Sequence, residues 1–282
     1  MQKKFISLSI LCLLSISIVG LRFLDDNNEN IKASSFIINT VTNYIGTYNL
    51  DNTTINWFFI PNNEHKTPDV NTDLKFELSD YNAIYNGPTS SNSKTLYLTF
   101  DEGYENGYTP KILDVLKEKN VQAIFFVTSH YMKTNPELVK RMSDEGHIVG
   151  NHTMSHPSMP DRTGDVNLFN AEFKDAEKRY KDITGKEMIK LFRPPMGKYS
   201  QKSLAMTKDL GYTSVFWSFA YHDWEPTEQP SQGNAMKKLM DNLHDGSILL
   251  LHAVSKTNTE ILGDFIDKAK SEGYEFKLLA PK

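Results

Sequence analysis

From residue 94 onward, short apolar segments alternate with amphipathic ones, and this alternation limits the fold more than any other feature of the sequence. The apolar segments, such as TLYLTF at 95–100, are rich in β-branched and aromatic residues, which is typical of β-strands. The segments between them, such as YTPKILDVLKEKN at 108–120, repeat apolar residues at helical spacing. An α/β fold with a parallel sheet covered by helices is therefore predicted, and periodicity leaves open whether the sheet is doubly wound or closes into a barrel. The predicted strands lie at 95–100, 121–128, 147–152, 189–195, 213–219, 247–253 and 274–279, and the predicted helices at 108–120, 135–146, 168–185, 201–211, 234–246 and 259–273.

The first 24 residues have the pattern of an export signal. Lys3 and Lys4 precede an unbroken run of apolar residues and serines from Phe5 to Leu21, which predicts a secretory signal peptide or an uncleaved membrane anchor. No small-x-small cleavage motif follows closely, which favours the anchor over the cleaved signal. We therefore expect a protein that is exported and either held at the membrane or released to the cell wall. Cys12, the only cysteine, lies in this segment, so the exported part has no thiol for a disulfide or a nucleophile.

The region between the signal and the regular alternation differs in composition from the rest. Residues 25–53 are rich in Asn, Asp, Thr and Ser and are interpreted as a polar spacer. Residues 54–93 regain aromatic side chains and are predicted to pack as an irregular extension on the main domain at 94–282; an aromatic sugar platform is the alternative. The formal net charge of -4 gives no reason to expect a nucleic-acid partner, and we expect a monomer.

Polar and charged residues recur at the ends of the predicted strands. In parallel α/β folds, reactive groups gather at the carboxyl ends of the strands, which meet at one edge of the sheet. These side chains, although far apart in sequence, are therefore predicted to surround one mouth. They are Asp101 and Glu102 after the first strand, His152 and His156 after the third, Arg193 after the fourth, Asp223 and Trp224 after the fifth, and His252 at the end of the sixth.

The histidine pair in NHTMSHP predicts a metal site. Two imidazoles four residues apart, joined by a carboxylate, form a typical three-ligand set for Zn²⁺ or a similar divalent ion. Each motif also has a structural reading: an isolated HxxxH is more often incidental, DE commonly opens a loop, RPP is a stiff turn, and His252 on an apolar run is often a buried structural histidine. The metal interpretation gains weight because the carboxylates and imidazoles occur together at strand ends.

These residues also carry a family resemblance. LTFDEG, HTMSH, RPPMG, DW and LLLHAVS occur in the order of the five motifs of the polysaccharide deacetylases, also called carbohydrate esterase family 4 or the NodB homology domain, and the resemblance covers roughly 94–282. With INWFF, TFDEGYENGYT and EGHIVGNH included, the chain most resembles the delta-lactam-biosynthetic de-N-acetylases. The resemblance implies a distorted (β/α)7 barrel and a catalytic domain at 94–282. It also implies hydrolysis of the N-acetyl group of peptide-free N-acetylmuramic acid, leading to muramic δ-lactam in spore cortex peptidoglycan.

The resemblance also implies roles for individual residues. Asp101 matches the general base, His252 the general acid, and Arg193 the cation that holds the base in place. His152 and His156 match metal ligands for Zn²⁺, with Co²⁺ or Mn²⁺ as alternatives. The implied substrate and oxyanion residues are Met196, through its backbone N–H, Leu250 in the acetyl-methyl pocket, Trp224 as a wall of the groove, and Asp223.

Two positions depart from the family pattern. Glu102 stands where most members have a second Asp as a metal ligand, and Ala220 stands where many carry an Asp expected to tune the acid histidine. The metal site and the partner of His252 are therefore the least determined features. The alternatives to a muramoyl deacetylase are a deacetylase of other N-acetylated glycans, such as N-acetylglucosamine in peptidoglycan or chitin oligomers, and a wall-glycan-binding protein without catalysis.

Overall fold

The main sheet contains eight strands, and every pair of them runs parallel. The computed structural model describes residues 49–62, 64–71, 73–89 and 94–281, so the predictions for 1–24 and for most of the spacer at 25–53 lie outside the described residues. The strands are β1 Ile55–Asn56, β2 Phe59–Ile60, β3 Asp69–Val70, β4 Ala83–Ile84, β5 Lys94–Glu102, β6 Ile124–Val127, β7 Ile148–Asn151, β8 Leu191–Phe192, β9 Lys198–Tyr199, β10 Thr213–Val215, β11 Ser247–His252 and β12 Tyr274–Phe276.

Seven α-helices in the described residues surround this sheet. They are α1 Thr109–Glu118, α2 Ser129–Thr134, α3 Pro136–Asp144, α4 Val166–Thr184, α5 Gln201–Asp209, α6 Gln232–Asp241 and α7 Lys256–Ser271. Side-chain caps explain several of their starts: Asp165 accepts the N–H groups of Asn167 and Leu168 at the start of α4. Gly185, with φ 73°, ends the same helix in the left-handed conformation that glycine tolerates. None of the helices described here is long and apolar enough to cross a membrane.

The sheet curls toward closure, which confirms the predicted distorted (β/α)7 barrel. Its order is β11-β5-β6-β7-β8-β10-β4, with β12 also paired to β5. Beyond β10 the chain turns toward β11, where Phe219 and Leu249 form a parallel bridge. The N–H of Ser218 bonds to the carbonyl of Ile248 at 3.1 Å, and the N–H of Leu250 bonds to the carbonyl of Phe219 at 2.9 Å. The two ends of the curled sheet therefore meet.

The structure differs from the predicted elements in two places. The last predicted strand does not join the ring, because β12 pairs with the start of β5 (Tyr274 opposite Lys94). The helix α2 was not predicted; it begins where Thr128 accepts the N–H of Tyr131 and so caps a short turn directly after β6.

Strand alternation sends the residues of β5 to two different layers. Leu96, Leu98 and Phe100 belong to the cluster packed under the helices, where Phe100 stacks on Phe125 with 5.2 Å between ring centroids. Tyr97 belongs to the cluster inside the barrel. Since successive side chains of a strand point to opposite faces, Asp101 follows Tyr97 into the barrel and Glu102 follows Phe100 toward the helices.

The segment before β5 contacts the barrel through a buried tryptophan. β1 pairs antiparallel with β9, and the backbone N–H of Trp57 donates to the carbonyl of Gly197 at 2.8 Å. Its indole N–H donates to the carbonyl of Trp217 at 3.0 Å, and its ring stacks on Phe216 with 4.4 Å between centroids. β4 adds a further link, because it pairs with β10 at the edge of the main sheet.

We predict that Trp57→Ala lowers the free energy of unfolding by about 3–5 kcal/mol, because it removes a buried aromatic ring and its hydrogen bond. Trp57 is 7% exposed, whereas its neighbour Phe58 is 47% exposed and serves as the matched control. Phe58→Ala should change stability by no more than about 0.5 kcal/mol. Urea unfolding of the two variants checks this, and equal losses would contradict the anchoring role of Trp57.

Candidate active site

A cavity of ≈ 690 Å³ opens at the carboxyl ends of the parallel strands. The structure brings to this cavity most of the side chains predicted from the strand ends, together with apolar residues at its rim. Its lining includes Asp101, His152, His156, Met196, Trp224, Leu250 and His252.

Asp101 lies at the end of β5 and is 9% exposed. Its Oδ1 accepts a hydrogen bond from Nη1 of Arg193 at 2.7 Å, and its Oδ2 lies 3.6 Å from Nε2 of His152. Burial alone raises the pKa of this carboxyl, but the charges of Arg193, His152 and His252 outweigh burial, and the pKa lies below its ordinary value. Asp101 is therefore an ionised carboxylate. Arg193 holds its Oδ1, and its Oδ2 lies on the side of Nε2 of His152.

Arg193 is fully buried and connects several strands. Besides Asp101, its Nη1 donates to Oγ1 of Thr99 at 2.8 Å, and its Nε donates to the carbonyl of Val215 at 3.1 Å. The guanidinium also lies over the ring of Phe126, 4.2 Å from the centroid. These contacts fix the cation, and through it the orientation of the Asp101 carboxylate.

The loop after β7 carries the two histidines in a strained conformation. Thr153 and His156 are not glycines, yet they have φ values of 73° and 57°. The buried carboxylate of Glu172 in α4 holds the loop by accepting the N–H groups of Met154 and Ser155 at 3.1 and 2.9 Å. The rings of His152 and His156 consequently lie 4.8 Å apart, centroid to centroid.

His152 has a defined tautomer. Its Nδ1 lies 2.9 Å from the carbonyl of Arg193, which can only accept, so Nδ1 carries the proton. Burial lowers the pKa of His152 to about 4, so the ring is neutral near pH 7. Nε2 is therefore an unprotonated nitrogen on the side of Asp101.

His252 ends β11 and lies beside Asp101, because the two residues are register partners in neighbouring strands. Its Nδ1 lies 2.7 Å from Oδ1 of Asp223, and its backbone N–H donates to Oδ2 of the same carboxylate at 2.9 Å. Burial lowers the pKa of His252, but the Asp223 carboxylate outweighs burial and raises the pKa above its ordinary value. The remaining nitrogen, Nε2, is left for the cavity.

The structure places Asp223 differently from the sequence prediction. We predicted it among the residues that contact substrate or oxyanion, but its side chain is fully buried beneath His252 and does not line the cavity. The carboxylate partner of His252 is therefore Asp223 itself. His252 has a carboxylate partner although Ala220, three residues before Asp223, cannot supply one. The Asp223 carboxylate can be buried because both of its oxygens accept hydrogen bonds from within the protein.

Glu102 also departs from its prediction as a metal ligand. It is fully buried and does not line the cavity, because alternation along β5 turns it toward α1. There Oγ1 of Thr109 donates to its Oε1 at 3.2 Å, and its Oε2 has no hydrogen-bond partner among the described residues. Burial, assisted by the nearby charge of Glu105, raises the pKa of Glu102 well above its ordinary value. In the described part of the chain, no three His, Cys, Asp or Glu side chains are grouped to hold a metal ion.

The RPPMG turn forms one wall of the cavity. Met196 has a φ of 58°, and its side chain is 52% exposed at the rim. Gly197 is required next to it, because φ is +64° and an added Cβ would lie 2.9 Å from the ring of Trp217 and 3.0 Å from Cβ of Trp57. Trp224, 51% exposed, stands at the mouth with its ring centroid 5.7 Å from that of His252.

Besides Glu172, sequence reasoning missed Thr99, Tyr221 and Asn258 around this site. Thr99 could have been found, because it lies two residues before Asp101 on the same face of one strand. Tyr221 and Asn258 carry no comparable signal: Asn258, in the first turn of α7, donates to Asp223, and Tyr221, in a loop, donates to Asn258.

Comparison with known proteins identifies the family of this chain. The model of the polysaccharide deacetylase family matches residues 89–215. The chain is 46% identical over 226 residues to the peptidoglycan-N-acetylmuramic acid deacetylase PdaA of Bacillus subtilis, which covers 80% of this chain and 84% of that protein. The solved structure of Bacillus subtilis PdaA, a family 4 carbohydrate esterase, matches with a TM-score of 0.77 and 44% identity, over 81% of this chain and 96% of that one.

A second solved structure carries a different description. It is a family 4 pseudoenzyme from Bacillus anthracis, 28% identical to this chain, with a TM-score of 0.62 over 69% of this chain and 66% of that one. Similar folds within this group therefore include a protein described as a pseudoenzyme. Identity and coverage with the muramoyl relative are high enough to define the group: the chain belongs to the polysaccharide deacetylase family.

Proposed function

We propose that this protein hydrolyses the N-acetyl group of N-acetylmuramic acid in peptidoglycan. The observation that carries the proposal is the pairing of Asp101 and His252 in one cavity, each held by a buried partner of opposite charge. Deacetylation of an amide requires a base for water and an acid for the leaving amine, and these two side chains supply both. The choice of muramic acid rests on the similarity to the Bacillus subtilis relative.

Asp101 is the general base of the proposed reaction. Its Oδ1 is occupied by Arg193, so Oδ2 is the oxygen that accepts the proton of the attacking water. Because its pKa lies below its ordinary value, the group is ionised over the whole neutral range. Arg193 keeps the carboxylate oriented as the proton arrives.

His252 is the general acid of the proposed reaction. Its Nδ1–H points to the Asp223 carboxylate, so the transferable proton is on Nε2, on the cavity side. The raised pKa of His252 keeps a larger fraction of the ring protonated near neutrality. The proton passes from Nε2 to the sugar nitrogen as the carbon–nitrogen bond breaks, and acetate and the free amine leave.

The remaining predicted residues have roles in substrate binding. The backbone N–H of Met196 is assigned to the developing oxyanion, a contact whose loss typically costs about 3–4 kcal/mol. Leu250, at the floor of the cavity, contacts the acetyl methyl group, and Trp224 presents an exposed aromatic face to the sugar. The freed amine of muramic acid then condenses with the lactyl carboxyl with loss of one water, which gives the muramic δ-lactam of spore cortex. Export through the N-terminal segment, with or without a retained anchor, brings the protein to this substrate.

Deacetylases of this family are in general metalloenzymes, and two imidazoles of this chain fit such a role. His152 has its second nitrogen bonded to a carbonyl and offers Nε2, the arrangement typical of a metal-ligating histidine, and His156 lies beside it. We propose these two as ligands of a divalent ion, with Zn²⁺ first and Co²⁺ or Mn²⁺ as alternatives. A bound ion of this kind polarises a carbonyl and lowers the pKa of its water. Glu102 is not among these proposed metal ligands, because its side chain does not line the cavity.

The first prediction of this proposal concerns the substrate. Peptide-free muramoyl glycan should release acetate, and chitin oligomers and intact peptidoglycan should release much less.

The Asp101→Asn variant should turn over at least roughly 100-fold more slowly than the wild type and should still bind glycan, because the amide side chain has the shape of the carboxylate but is not basic. Acetate release with each glycan, together with binding of the variant, measures both effects. Efficient release from chitin oligomers alone would favour the glucosamine alternative, and binding without release by the wild type would favour the non-catalytic one.

The second prediction concerns pH. The base must be deprotonated and the acid protonated, so activity should fall below the lowered pKa of Asp101 and above the raised pKa of His252. Asp223→Asn removes the charge that raises the pKa of His252, and the alkaline limb of kcat/KM should therefore move to lower pH. Glu225→Gln, an exposed change two residues away, is the control. An alkaline limb that stays in place in Asp223→Asn would refute the assignment of that limb to His252.

The third prediction separates Glu102 from the metal site. Above the ordinary pKa of a glutamate, the unfolded chain has released the proton that folded Glu102 keeps, so the contribution of Glu102 to the free energy of unfolding falls as pH rises. Glu102→Gln keeps no such proton, and its stability relative to wild type should increase between about pH 5 and pH 7.5. Urea unfolding at the two pH values measures this. Zinc affinity by calorimetry should be unchanged in Glu102→Gln and reduced in His156→Ala; a comparable reduction in both would return Glu102 to the ligand set.

A further inference from the structure

A buried amide lies directly behind the pair formed by His252 and Asp223. It belongs to Asn258, which is 2% exposed in the first turn of α7 and does not line the cavity. We infer that Asn258, oriented by Tyr221, is a positioning residue for the general-acid step: it fixes the Asp223 carboxylate so that His252 presents its proton from Nε2. The inference rests on the proposed deacetylase function and assigns a role to two residues outside the family motifs described above.

The first support is the hydrogen bonding of Asp223. Its Oδ1 faces Nδ1 of His252, and its Oδ2 accepts both the backbone N–H of His252 and Nδ2 of Asn258, the latter at 2.6 Å. A carboxylate buried away from water depends on such donors, because each missing one leaves part of the charge unsolvated. Asn258 is the donor from another element, and it prevents the carboxylate from rotating about its bond to the chain.

The second support is the orientation of the Asn258 amide. An amide can present either its oxygen or its nitrogen to a neighbour, and its oxygen would repel Asp223. The Tyr221 hydroxyl donates to Oδ1 of Asn258, which leaves Nδ2 for the carboxylate. Burial raises the pKa of Tyr221, so its hydroxyl keeps the proton that it donates. The Asp223 carboxylate, which can only accept, requires the amide nitrogen on its side, and Tyr221 stabilises this orientation by donating to the amide oxygen.

The third support is the attachment of this network to the backbone. The N–H of Asn258 donates at 3.0 Å to Oγ of Ser255, the residue that caps α7. Ser255 in turn bonds to Gln229, whose Nε2 donates to the backbone carbonyl of Asp223 at 2.8 Å. The start of α7 and the loop that carries Asp223 are thus held together, and this fixes the position of Asn258.

The role of Asn258 can be separated from a merely structural one by the leaving group. An amine must be protonated as it leaves, whereas the phenolate of an activated aryl acetate leaves without a proton. A residue that acts only through the general acid should therefore affect cleavage of the glycan amide and spare hydrolysis of the ester. A residue that holds the fold or the base should affect both reactions.

The test compares two activities in the full-length protein. In Asn258→Ala we expect kcat for acetate release from peptide-free muramoyl glycan to fall roughly 10- to 100-fold, with KM little changed, which is the loss expected for one hydrogen bond to a charge. Hydrolysis of nitrophenyl acetate should stay within about twofold of wild type. Tyr221→Phe should lose amide activity in the same selective way but less, because Asn258 remains. Thr257→Ala is the matched control, since Thr257 is also buried in the first turn of α7 and bonds to the carbonyl of Pro230 instead.

Equal losses in both activities, or no loss of amide activity, in Asn258→Ala overturn the inference. If Asn258→Ala does not fold, Tyr221→Phe decides it by the same ratio of activities. A wild-type protein that deacetylates chitin oligomers but not muramoyl glycan contradicts the proposed substrate, and the ratio measured on chitin then tests Asn258 separately.

Discussion

A buried arginine requires a buried anion, and the ion pair of Arg193 with Asp101 is the interaction on which the rest of the site depends. Removing either partner would leave an uncompensated charge, which typically costs about 3–5 kcal/mol. Arg193 also contacts Thr99 of β5 and the carbonyl of Val215 in β10, and its own carbonyl fixes the tautomer of His152. One side chain and its backbone thus join the proposed base Asp101, the candidate metal ligand His152 and two non-adjacent strands.

A second pair, Asp223 with His252, shifts a pKa in the opposite direction on the neighbouring strand. Arg193 lowers the pKa of Asp101, and Asp223 raises the pKa of His252, although burial alone would shift each in the other direction. Because the two residues are register partners in β5 and β11, a carboxylate with a lowered pKa and an imidazole with a raised pKa face the same cavity. Pairs of groups whose environments push their pKa values apart are the usual mark of acid–base chemistry.

The sequence predicted which residues meet at the strand ends better than it predicted what each one does there. The parallel sheet followed from the alternation of strands and helices, and the convergence of Asp101, His152, Arg193 and His252 followed because parallel strands end at one edge. The closure of the sheet into a barrel was implied only by the family resemblance. The family position of Glu102 predicted a metal ligand, whereas strand alternation turns its side chain away from Asp101 and toward Thr109. The burial of Asp223 depends on a loop and on α7, and no local pattern encodes a contact of that kind.

The backbone around the cavity carries strain that other elements of the protein must offset. Thr153, His156 and Met196 adopt left-handed conformations that cost an ordinary residue about 1–2 kcal/mol each. The histidine loop is held by the carboxylate of Glu172, and the Met196 turn by Trp57, whose N–H bonds to Gly197. A displacement of about 1 Å at a reacting group can cost roughly 100-fold in rate. The segment before β5 therefore helps to hold the Met196 turn, which lines the cavity, although Trp57 itself does not line it.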